Sequence, residues 1–180
     1  AWAPTAAAFA SPWPGQVVIL KSATESNYTL DTALTRAAII GVTTADFYSG
    51  PTSRWDQTNT LRIRLFNGAL SSKDDLTVLG GANALALENQ DGEWEILQFA
   101  NADLTAPTQC SLPKLLRGQA GTESAMRNPV PAGARVVVLD GAQKQLALTL
   151  DQYNLPFNYL WGPQGKPISD PAFQGATKQF

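Results

Sequence analysis

Apolar and polar residues alternate with a period of two over several short stretches of this chain. In Thr60–Phe66, Leu61, Ile63 and Leu65 fall on one face while Arg62 and Arg64 fall on the other. That period is the mark of a half-buried strand. Gln16–Lys21 is a β-branched run closed by polar residues, Tyr28–Leu34 alternates, and Ala37–Thr44 is apolar and β-branched at its centre. Ala84–Glu88 and Trp94–Asn101 flank Asn89-Gln90-Asp91-Gly92. An Asp-Gly pair between two apolar runs predicts a hairpin. The second of these runs changes phase, with Trp94 and Ile96 followed by Leu97 and Phe99. The change predicts a bulge, or burial on both faces. Trp94 and Ile96 are expected to face inward, with Glu93 and Glu95 on the wet side.

Further strands are expected at Gln109–Arg117, where Pro113 marks an edge or a bulge, and at Phe157–Trp161. A second hairpin is expected to join Ala134–Leu139 to Gln145–Leu150 through Asp140-Gly141-Ala142-Gln143. Ser71–Gly81 reads as one short helix. Ser72 is the expected N-cap, Asp75 sits near the positive end of the helix dipole, and Gly80 and Gly81 end the helix. Thr122–Arg127 has room for one helical turn before Pro129.

Nine or ten short strands, evenly punctuated by turns, predict a mainly β protein. The expected architecture is an antiparallel β-sandwich or barrel-like domain with one or two short helices. Residues 1–15, rich in Ala and Pro, read as an extended linker pinned by Trp2, Phe9 and Trp13. Residues 16–128 form the expected β domain. Residues 129–180 are a hairpin extension or small subdomain, unless the whole is one continuous domain. The start, Ala1-Trp2-Ala3-Pro4, carries neither an initiator Met nor a charged leader, and the expectation is a segment of a longer polypeptide.

Composition narrows the chemistry. Among 180 residues there is no histidine, so a Ser-His-Asp triad, a Cys-His dyad and histidine-ligated zinc are excluded. The single cysteine, Cys110, cannot close an internal disulfide and reads as a small buried hydrophobe. A net charge of −2, with 16% charged residues, offers no basic surface for nucleic acid, and no membrane span is expected. P-loop and nucleophile-elbow motifs are missing, so no catalytic residue and no cofactor is assigned.

Three further readings stand beside bland ones. Glu93 and Glu95 could act as the paired carboxylates of a glycosidase, or be the solvated face of a hairpin. Glu88, Asn89, Asp91 and Glu93 crowd one turn with hard oxygen donors, of which Asp91 and Glu93 would be the calcium candidates. The same residues also serve an ordinary turn for backbone reasons. Trp55, Trp94 and Trp161, with Tyr153, could form a sugar-stacking platform, or simply pack.

Three stretches carry a resemblance to a known family. They are Ser11–Gly15, the run Leu79–Ala84 leading into Trp94–Phe99, and Leu115-Leu116-Arg117-Gly118-Gln119-Ala120-Gly121-Thr122-Glu123. Together they resemble the C-terminal half of the large tail-hub protein of gene transfer agents and related siphophages. The likeness spans about Ser11 to Trp161, and the Leu116–Glu123 run is its most specific piece. The resemblance implies a structural module of a virion tail, assembled in the bacterial cytoplasm. Its implied partners are a distal tail ring and tail-tip proteins, and it implies a homotrimer in the particle. Full-length members also carry a TIM-barrel region resembling glycoside hydrolases. That region cannot be this chain, so no enzymatic role passes to it. Within the motif, Leu116, Arg117, Gly118, Gly121, Thr122 and Glu123 are expected to be structural. Gly118 and Gly121 would permit a tight turn with positive φ, and Arg117 would pair with Glu123 across it.

Overall fold

The computed structural model describes residues 4–180. Its strands are β1 (Thr5–Ala6), β2 (Val17–Ser22), β3 (Thr29–Leu34), β4 (Ile40–Thr43), β5 (Trp55–Asp56), β6 (Leu61–Leu65), β7 (Ala84–Glu88) and β8 (Trp94–Phe99), followed by β9 (Asp103–Ala106), β10 (Gln109–Leu112), β11 (Leu115–Gln119), β12 (Arg135–Val138), β13 (Lys144–Gln145), β14 (Phe157–Pro163) and β15 (Gln174–Lys178). One short helix, α1 (Asp75–Leu79), and two 3₁₀ turns, Glu123–Ala125 and Leu150–Gln152, complete it. The protein is mainly β, and every pair of named strands is antiparallel.

Two compact units make up the chain. Residues 39–140 form one, and residues 1–38 with 141–180 form the other. The seams therefore lie at 38/39 and 140/141, not at 15/16 and 128/129. The reason is the place of β12, which inserts between β4 and β7 in the middle of a sheet.

The 39–140 unit is built on nine strands in the order β5-β11-β8-β7-β12-β4-β6-β10-β9. The sheet is open, with β5 and β9 at its ends, so it is not a closed barrel. It does wrap one core, because Leu115 from near one end and Leu112 from near the other join the same cluster with Phe47, Leu61, Ile63, Leu97, Phe99 and Val136. β6 shows why the period-two stripe produces this. Leu61, Ile63 and Leu65 are at most 3% exposed while Arg62 and Arg64 face water. Burying each such apolar side chain is worth about 1.5–3 kcal/mol. A one-residue slip would put arginine in the core, so the register is fixed.

The other unit holds the four-stranded sheet β15-β14-β2-β3 and the short pair β1-β13. Its core gathers Val17, Ile19, Leu34, Leu146 and Tyr159, with Ala6, Ala8, Trp13, Phe157 and Trp161 packed against it. Trp13 thus does pack, as the linker reading expected, and Thr5–Ala6 gains a strand partner there. The part of that reading that rests on Trp2 lies outside the described residues.

Several local expectations are corrected. The helix is capped by Asp74, not Ser72: the Asp74 carboxylate accepts from the Thr77 backbone N–H at 3.0 Å. Ser72 instead accepts from the Ala102 N–H through its hydroxyl. The run Gln109–Arg117 is two strands, because Pro113 breaks it and sends β10 to β6 and β11 to β8. The second hairpin does not form: β12 pairs with β4 and β7, while β13 pairs with β1. Beyond the last expected strand, β15 returns along β14. Strands β5 and β9 are too short, and too mixed in polarity, to show a period in the sequence.

Candidate functional site

The motif Leu115–Glu123 forms the centre of the best-organised polar site in the 39–140 unit. On β11, Leu115 pairs with Phe99 and Leu116 with Gln98, but Gln119 pairs with Ile96. Three steps on β11 thus match two on β8, which makes a bulge at Arg117 and Gly118. Gly118 has φ +57° and Gly121 φ +79°, the left-handed region that glycine enters without cost to a Cβ. Thr122 locks the turn: its hydroxyl accepts from the Ile96 N–H and donates to the Gln119 carbonyl, both at 2.8 Å.

The bulge turns Arg117 into the core. It is 1% exposed, and its guanidinium carbon lies 4.1 Å from the centre of the Phe47 ring. Nε donates to Glu95 Oε1 at 2.7 Å and Nη2 to Glu95 Oε2 at 2.9 Å. Nη1 donates to the Tyr48 carbonyl at 3.0 Å and to Asp56 Oδ2 at 3.3 Å. The expected Arg117–Glu123 pair is therefore replaced by Glu95 and Asp56. Glu123 is exposed, and its Cα and Cγ pack beside Gly118.

Glu95 is the main departure from the sequence reading. It is 1% exposed, while Trp94 and Ile96 are half-buried on the opposite face of β8. The apolar phase of Trp94 and Ile96 belonged to the outer face. Glu95 is buried because Arg117, together with the Gly118 N–H at 3.1 Å, satisfies its carboxylate. Asp56, on β5, is fully buried. Its Oδ1 accepts from the N–H groups of Thr58 and Asn59, and its Oδ2 accepts from the Asn59 side-chain amide at 2.8 Å. Burial pushes the Asp56 carboxyl up. The Asn59 side chain, the two backbone N–H groups and the Arg117 charge outweigh burial and hold it below the usual range.

The segment 47–59 thus closes over Arg117 as a clasp. Gly50 is required there: a Cβ at that position would lie 2.1 Å from Asp56 Oδ2 and 3.0 Å from Arg117 Nη1. Each carboxylate oxygen of Asp56 and Glu95 already accepts a hydrogen bond, and both side chains are closed to water. What this arrangement does chemically is hold a strand, a bulge and a long loop in one geometry.

The remaining candidate residues are dispersed. Glu93 is exposed in the β7–β8 turn and does not share a face with Glu95. Arg127 bridges it to Asp91, with Nε 2.8 Å from Asp91 Oδ2 and Nη2 bonded to Glu93 Oε2. The cation seated on the two calcium candidates is thus a guanidinium of the chain itself. Glu88 pairs with Arg135, and Asn89 is buried, donating to the Ala125 carbonyl. Trp55 packs against Val78, Ala100 and Leu116 with the Lys114 ammonium 4.7 Å from its ring centre. Trp94 has the Arg135 guanidinium 5.8 Å from its ring centre. Trp161 belongs to the other unit, where it packs on the core. Cys110 is 5% exposed, and burial pushes its thiol up. No helix among the described residues is long and apolar enough to cross a membrane.

Sequence reasoning missed Asp56 and Asn59 entirely. The signal available was Asp56-Gln57-Thr58-Asn59, an Asx-turn composition, together with a lone Arg directly after the apolar pair Leu115–Leu116.

Comparison with known families agrees on where the weight of the chain lies. Residues 38–137 match the family described as Rcc01698-like, C-terminal. The chain belongs to that family. The match covers more than half of the 180 residues and includes the whole Arg117 clasp, the β7–β8 hairpin and all but the last residue of β12. The Rcc01698-like region ends within three residues of the 140/141 seam and begins at the other, so it coincides with the nine-stranded unit. No curated protein matches the chain.

Proposed function

We propose that this chain is a structural and assembly module of a phage-type tail hub, working in the tail of a phage, a prophage-derived particle or a gene transfer agent. One observation carries the reading. The most specific residues of the resemblance, Arg117 and Gly118, serve a closed scaffold with no open reactive group. In this reading the motif residues supply rigidity, and the module acts through the surfaces it presents. The family description, which names a C-terminal region, supports reading the chain as part of a longer polypeptide. In this reading its partners are other tail proteins, a distal tail ring among them, and the hub is a trimer in the particle.

The experiment is to raise antibodies to the chain and fractionate induced cultures on a density gradient. The parent polypeptide is expected to sediment with tailed particles and to label the tail end distal to the head. Recovery of the parent only in fractions free of particles would overturn the reading. The competing reading, a carbohydrate- or receptor-binding β-domain, draws on the half-exposed rings of Trp55 and Trp94. Cations of the chain already lie against both rings, which weighs against a free stacking platform. Quenching of tryptophan fluorescence by oligosaccharides would reinstate it.

A further inference from the structure

We propose that the outer face of the nine-stranded sheet, centred on Arg62 and Arg64, docks an acidic polypeptide segment of a partner protein. The 39–140 unit carries eight cations. Lys114, Arg117, Arg127 and Arg135 each pair with a carboxylate of the same unit. Arg54, Arg62, Arg64 and Lys73 have no ion-pair partner among the described residues, and of these only Arg62 and Arg64 share one face of one strand. Both are exposed. Two residues apart on β6, their Cβ atoms stand roughly 7 Å from each other, so their charges repel without internal relief.

The register says what surrounds them. Arg64 lies between Val42 on β4 and Gln109 on β10. Arg62 lies beside Ser111 on β10, and on its other side its carbonyl accepts from the Thr44 N–H. All four neighbours are uncharged. The nearest acid along the Arg62 row is Asp103, paired with Ser111 and therefore two strands away, about 10 Å. Along the Arg64 row, Val42 is followed by Arg135, whose charge Glu88 already balances. Two uncompensated guanidiniums set among small polar and apolar side chains suit a protein partner, because arginine is enriched at interfaces and reads carboxylates bidentately. A nucleic acid would demand a broader basic field than a chain of net charge −2 supplies. The assembly reading above suggests only that such a partner exists; the chemistry of the face stands without it.

The test is fluorescence anisotropy of the chain with a labelled oligoglutamate peptide, an oligolysine peptide and a duplex DNA oligomer, at low and at physiological salt. The wild-type chain is expected to bind oligoglutamate, and salt is expected to weaken the complex. R62Q/R64Q should weaken it roughly fivefold or more, and R62E/R64E should transfer the preference to oligolysine. A Lys73→Gln control should leave it within about twofold. Circular dichroism of each variant confirms that the exposed substitutions leave the fold intact. Equal affinity for oligoglutamate in wild type and R62E/R64E would overturn the proposal, as would tighter binding of DNA than of oligoglutamate. Gradient fractionation of particles reads the hub assignment separately, so failure of one is not failure of the other.

Discussion

Arg117 holds Glu95 through two parallel hydrogen bonds, 2.7 and 2.9 Å long, between side chains that water does not reach. The two residues are 22 positions apart and sit on adjacent strands. Asp56, from a third strand, contacts the guanidinium from its other side, so one cation serves two buried carboxylates. In a low-dielectric interior such a set is stable only while all its members are present.

Removing one member should therefore be costly. Arg117→Met is expected to lower unfolding free energy by about 3–5 kcal/mol, because two carboxylates remain buried with their cation gone. Arg117→Lys should recover little, since an ammonium cannot reproduce the forked contact. Urea denaturation of the three proteins measures this. A loss below about 1 kcal/mol for Arg117→Met would show that water reaches the site.

The two motif glycines should respond differently. At Gly118 a Cβ would lie 2.7 Å from Glu123 Cγ and 3.1 Å from its Cα, whereas at Gly121 it would meet nothing within 4 Å. Both have positive φ. Gly121→Ala should cost about 1 kcal/mol from backbone strain alone. Gly118→Ala should cost at least about 1 kcal/mol more, because the 118–123 turn must open. Thermal melts of the two variants side by side decide it, and equal melting temperatures would refute the steric argument.

Acid should weaken the clasp through Asp56. Its pKa in the folded protein is below the unfolded value, so the unfolded state binds the proton more readily. Its contribution is fully present above the ordinary carboxylate pKa of about 3.9 and is lost as pH falls through the lower folded value. Stability measured downward from about pH 5 should fall in wild type and fall less steeply in Asp56→Asn. An unchanged slope would mean that Asp56 is not the responsible group.

Alkali should act on the other unit through Tyr159. Burial first, and then the charge of Asp31, push its hydroxyl up to about 12. The folded state keeps the proton longer than the unfolded one. Its stability contribution is therefore intact below about pH 10 and lost between about 10 and 12. Tyr159→Phe should remove about 1–2 kcal/mol of the decline over that range. Chemical denaturation at several alkaline pH values measures it, and an identical decline in the variant would assign the effect elsewhere.

The sequence by itself determined the local periods. Leu61, Ile63 and Leu65 alternate with arginines, so β6 could only be a half-buried strand. Asp91-Gly92 between apolar runs could only turn, and Gly118 and Gly121 marked the positive-φ corner that the structure contains. These are properties of neighbouring residues, set by sterics and by the two-residue repeat of a strand. Beyond the β7–β8 hairpin, tertiary structure decided which strands meet. β12 left its expected hairpin to sit between β4 and β7, and Pro113 sent β10 and β11 to different neighbours. It also reversed the face of Glu95. A carboxylate reads as surface until an arginine 22 residues away is bulged inward to meet it, and no short-range pattern encodes that meeting.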